Sequence, residues 1–77
     1  MDEWTSQVIV NNILYTITVN RIYSPSYDEF LFEAEIREKS EVVYTSSIHL
    51  YSKREVEAWV RKRLHCESIE FNWVDSE

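Results

Sequence analysis

The 77-residue chain contains no glycine, and that absence excludes a set of chemistries. Phosphate-cradling loops need a residue that takes positive φ and lets the backbone approach a ligand closely. Walker loops, dinucleotide fingerprints and EF-hand loops are accordingly missing. The single cysteine, Cys66, can form no intramolecular disulfide. No apolar run approaches the roughly 18 residues expected of a membrane span, and the opening MDEWTSQVIV has neither a basic region nor a long apolar stretch. These features predict a cytoplasmic protein with no membrane partner. Positive charge is also scarce, with eight Lys and Arg against fourteen Asp and Glu, for a net charge of −6. Such a balance opposes the phosphate attraction behind most non-specific nucleic-acid affinity, so no direct nucleic-acid partner is expected.

What is present suffices for a core. Hydrophobic residues make up 44% of the chain and aromatics 14%, which argues for a folded domain rather than a disordered one. The length leaves room for one small domain over residues 1–77, with a narrow margin of stability that association would widen.

Trp4 to Val19 reads as a hairpin with Asn11-Asn12 at its tip, because Asn tolerates the left-handed conformation. A two-residue loop there pairs Val10 with Ile13, Val8 with Tyr15, Ser6 with Ile17 and Trp4 with Val19 on one face. Thr5 with Thr18, Gln7 with Thr16 and Ile9 with Leu14 fall on the other. Ser24-Pro25-Ser26 reads as a loop whose flanking Tyr23 and Tyr27 are expected over the sheet edge. In the third strand Phe30, Phe32, Ala34 and Ile36 are predicted toward the core, and Leu31, Glu33, Glu35 and Arg37 mostly toward water. A fourth strand from Val42 to Tyr51 places Val42, Tyr44, Ile48 and Leu50 on the core face. That register requires an odd loop such as Glu38-Lys39-Ser40.

Ser52 to Glu55 spells the capping box S-x-x-E, with Tyr51 and Val56 placed for a hydrophobic staple. Val56, Trp59, Val60 and Leu64 then make one helical stripe, and Glu57 with Arg61 an i,i+4 pair. Ile69, Phe71 and Trp73 alternate with Glu70 and Asn72 as a last strand. The predicted class is α+β, an antiparallel sheet in ββββαβ order with one helix on one face and strands ordered 5-1-2-3-4.

Chemistry-bearing groups are sparse. His65 and Cys66 are adjacent, so on extended chain they point apart, with no third group to orient an imidazole. His49, His65 and Cys66 show no metal-ligand spacing. The reading is therefore a non-enzyme with no catalytic residue, metal or cofactor. Lys53, Arg54, Arg61, Lys62 and Arg63 gather on the helix, as on many solvated helix faces. Residues 28–41 carry six acids and two bases, a local charge of −4. Glu29, Glu33 and Glu35 share the outer face of the third strand, with Asp28, Glu38 and Glu41 nearby. Such a surface suits a protein partner with a basic surface. The fourth strand, VVYTSSIHLY, has no Lys, Arg, Pro or Gly to protect it as an edge, and presents Val43, Thr45, Ser47 and His49 outward. The alternative function is thus a homodimer or structural module joined through this edge.

The run Leu50-Tyr51-Ser52-Lys53-Arg54-Glu55-Val56-Glu57-Ala58-Trp59-Val60 resembles the strand, S-x-x-E and aromatic-bearing helix of some small phage-encoded anti-CRISPR proteins. The resemblance covers this segment together with size and layout, and departs from the family in having no glycine in its turns. It implies an inhibitor that binds a CRISPR effector in a host cytoplasm and blocks nucleic-acid access. It transfers no functional residue.

Overall fold

The computed structural model describes residues 3–46 and 50–75. Its first turn shows how the chain manages without glycine. Asn11 and Asn12 take φ of 54° and 65°, the paired left-handed conformation whose twist matches a tight hairpin. They join β1 (Glu3–Val10) to β2 (Ile13–Ser24), in a register running from Val10 opposite Ile13 to Glu3 opposite Asn20. This is the expected pairing throughout, with β2 continuing further than predicted.

β3 (Glu29–Glu38) follows β2 antiparallel, and β4 (Glu41–Thr45) follows β3. The β3–β4 loop is shorter than predicted. Glu38 pairs with Glu41 across a two-residue turn in which Lys39 takes φ 60°. The odd residue demanded by alternation appears instead as a bulge. Arg37 meets Val42 while Ile36 meets Tyr44, so Val43 has no partner in the ladder. Tyr44 therefore shares the core face as expected, whereas Val42, opposite Arg37, lies on the outer face.

β4 ends at Thr45, short of the Tyr51 expected. Ser46 still holds β3 through its N–H to the Ala34 carbonyl (2.9 Å) and its Oγ, which accepts from the Ala34 N–H (3.0 Å). Leu50 then accepts from the Phe32 N–H (2.7 Å) as an isolated bridge. Ser47, Ile48 and His49 lie outside the described residues.

α1 (Lys53–Leu64) begins where the capping box predicts. The Glu55 N–H donates to Ser52 Oγ (3.2 Å), and Glu55 Oε1 accepts from the Tyr51 N–H (2.8 Å), one residue before the cap. Tyr51, placed for the staple, is half exposed, and Val56 is fully buried in the main cluster. The helix ends in a Schellman arrangement. His65 takes φ 55°, its N–H reaches the Lys62 carbonyl (3.3 Å), and the Cys66 N–H reaches Arg61 (3.0 Å).

Val56, Trp59, Val60 and Leu64 pack with Val8, Val10, Ile17, Val19, Ala34, Ile36, Leu50 and Ile69 in one cluster. The helix thus covers one face of the sheet, as its stripe predicts. β5 (Val74–Asp75) closes the sheet beside β1, giving the predicted order β4-β3-β2-β1-β5. Among the described residues two join this ladder; Ile69, Phe71 and Trp73, expected as the last strand, lie before it and outside any strand, where the Asn72 N–H donates to the buried Ser6 hydroxyl (3.0 Å). The i,i+4 partners Glu57 and Arg61 both turn to this C-terminal segment. Glu57 accepts from the Trp73 indole (2.8 Å), and Arg61 donates twice to the Ile69 carbonyl (3.2 and 3.0 Å). Phe71 and Trp73 stack nearly parallel alongside, with Arg61 over Phe71.

Candidate protein-interaction surface

Alternation decides which acids share a surface. Glu29, Glu33 and Glu35 sit opposite Ser24, Asn20 and Thr18, on the sheet face away from the helix. Glu29 and Glu33 are exposed. Glu35 is partly covered and bonded to Arg37 on the same face (2.6 Å), so its charge is locally compensated. Thr45 lies opposite Glu35 and belongs to this surface.

Glu38 and Glu41 do not. Glu38 follows Ile36 by two residues and pairs with Tyr15 and Glu41, so both carboxylates project on the helix side at the hairpin end. Val43 is the bulged residue, and His49 lies outside the described residues. The acids expected on one surface are therefore divided. Glu29, Glu33, Glu35 and Thr45 form the outer surface, with Glu38 and Glu41 behind it.

Three of the helix cations, Lys53, Arg61 and Arg63, have packing roles. Lys53 Nζ lies 4.1 Å from the Trp4 ring centre, Arg63 approaches Tyr44 and Trp59, and Arg61 holds the C-terminal segment. Their long side chains cover apolar surface while keeping charge near water. At the helix C-terminus, Cys66 Sγ lies 3.5 Å from Ser68 Oγ. That hydrogen bond holds the thiol below its ordinary pKa. Among the described residues no cluster of His, Cys, Asp and Glu is arranged to hold a metal ion, and no helix is long and apolar enough to cross a membrane.

One set of residues escapes a reading by alternation alone. Phe30 was expected in the core beside Phe32, yet it is 51% exposed, with Tyr23 50% and Tyr27 57% exposed. The described β1 ladder stops at Asn20, and Leu50 meets β3 at Phe32. Past Arg21 and Phe32, β2 and β3 continue as a pair through Ile22 with Leu31, Tyr23 with Phe30 and Ser24 with Glu29. Phe30 is on the correct face but beyond the helix. Tyr23 and Tyr27 accordingly stand at the hairpin end, not over an edge. Leu31 departs in the opposite sense, buried on the reverse face and outside the main cluster. The register carries the signal, since β2 runs past Asn20, where the described β1 ladder ends.

The described residues form a small α+β domain with five antiparallel strands in one sheet and a single helix. Compared with protein-family models, curated proteins and solved structures, the chain matches none.

Proposed function

We propose that this domain is a non-enzymatic binding module that inhibits or modulates a protein partner with a basic surface, through the acidic outer face of β3. The observation that carries the reading is the pair Glu29 and Glu33. Both are exposed on the sheet face that the helix leaves uncovered. An uncompensated acidic surface speeds encounter with a cationic partner and disfavours wrong ones. The resemblance of residues 50–60 to anti-CRISPR proteins names a nucleic-acid-handling complex, such as a CRISPR effector, as one such partner.

The test compares tagged wild type with the Glu29→Lys/Glu33→Lys variant in affinity capture from source cells, after matching their thermal melts. The expected result is a basic protein retained by wild type, released by salt and lost from the variant. Equal retention by both would remove this face from the account.

A second reading is a homodimer joined through β4. Val42, Val43 and Tyr44 are exposed there, which favours it. Against it, β4 is five residues long and bulged at Val43, two devices that blunt an edge against strand addition. A strict monomer in sedimentation at high concentration would eliminate it.

A further inference from the structure

We propose that the distal β2–β3 hairpin is a docking finger. In this account Tyr23, Tyr27 and Phe30 enter an apolar recess on a partner protein, while Asp28 and Glu29 meet lysines or arginines at its rim. The inference rests on the protein-binding reading above and adds which element enters the partner and what the partner presents.

Shape is the first argument. Beyond Arg21 and Phe32 the hairpin is flanked by neither β1 nor β4 among the described residues, and the molecule is elongated, at 40 × 25 × 21 Å. A protruding element suits a concave site.

Pre-assembly is the second. Phe30 and Tyr23 meet edge to face at 5.4 Å, and the Arg21 guanidinium lies 4.7 Å from the Phe30 centroid. The Tyr23 hydroxyl donates to Asp28, and the Tyr27 N–H closes the turn onto the Ser24 carbonyl (3.3 Å). Aromatic and Arg side chains held in place before binding lose little entropy on docking, and these residue types dominate interface hot spots.

Charge is the third argument and selects the partner class. Asp28 and Glu29 adjoin on the β3 side of the tip, and Arg21 is stacked on Phe30. Phosphates would be repelled at such a tip, whereas a cationic protein rim is complementary to it.

The experiment places the photocrosslinker p-benzoylphenylalanine at position 27 and, in a separate protein, at position 33. Adducts formed in source cells are mapped by mass spectrometry onto the partner, and the purified pair is then titrated. Expected is a position-27 adduct at an apolar site flanked by Lys or Arg. Tyr23→Ala/Phe30→Ala should weaken the purified complex about 30-fold or more, as loss of a hot spot does. Tyr27→Ala, in the turn outside both strands, serves the same purpose if the double variant does not fold. Adducts from position 33 but not 27 would overturn the finger and leave the acidic-face reading standing. Adducts from neither position would overturn both. An adduct from position 27 to nucleic acid, to a second copy of this chain or to an acidic site would overturn the proposal, as would less than about a threefold loss in Tyr27→Ala.

Discussion

The same strand pair, β2 with β3, lives in two environments. In its proximal half Ile17 and Ile36 face each other fully buried beneath the helix. In its distal half, on the same face, Tyr23 and Phe30 face each other half exposed. Alternation is continuous through both halves, so it fixes the side on which a residue lies but not whether anything covers that side. Cover is set by where the helix stripe and the flanking strands end. The proximal half is built for stability, and the distal half keeps large apolar side chains available at some cost to it.

The sharpest way to break this comparison is to truncate one residue in each half. Ile17→Ala should cost about 2–5 kcal/mol, because a fully buried site loses transfer energy and retains a cavity. Phe30→Ala should cost about 1 kcal/mol, the worth of an exposed aromatic pair and cation–π contact. Urea unfolding followed by tryptophan fluorescence measures both. Equal costs would show that the two halves share one core.

Hydrogen exchange sharpens the same contrast without mutation. A two-stranded hairpin is marginal without cover, so amides of residues 22–31 should exchange through local opening. Those paired at Ile17 and Val19 should exchange only on global unfolding. Uniform protection along β2 would contradict a separable finger.

The helix ends carry smaller effects of opposite sign. Ser52→Ala removes the acceptor for the Glu55 N–H and should destabilise by about 1 kcal/mol. His65→Gly relieves a side chain held at φ 55° and should stabilise by roughly 1 kcal/mol, raising Tm by about 4–8 °C. Asn11→Gly at φ 54° should gain much less, since Asn tolerates this region. Thermal melts of the three decide the ranking. A gain at Asn11 equal to that at His65 would refute the argument from residue type.

Much of the fold was legible because independent local signals agreed. The Asn-Asn tip and two sets of facing side chains specified one register, and the cap and stripe specified one helix. The β3–β4 turn was not legible in detail. Alternation demands an odd residue without saying whether it sits in the loop or, as at Val43, in a bulge. Glu57 and Arg61 were read as partners because they are close in sequence, yet Trp73 and Ile69 offered each a long-range partner. For the candidate surface, the acids were identifiable by composition. Their division, with Glu38 behind Glu33 and Glu35, follows from strand parity alone and was there to be read.

The finger's own hydrogen bond supplies the finest probe of the distal half. The Tyr23 hydroxyl donates to Asp28, and that bond, with a smaller contribution from burial, raises the phenol's pKa above its ordinary value of 10.0. The folded finger thus holds this proton more tightly than the unfolded chain. Its stabilising contribution is complete below about pH 10 and declines as pH rises through the raised folded value. An ultraviolet titration comparing wild type with Tyr23→Phe should therefore show one tyrosine ionising late, and Asp28→Ala should return that midpoint toward 10.0. If Asp28→Ala left the midpoint unmoved, the bond would not order the tip, and pre-assembly of the aromatic face would lose its closest support.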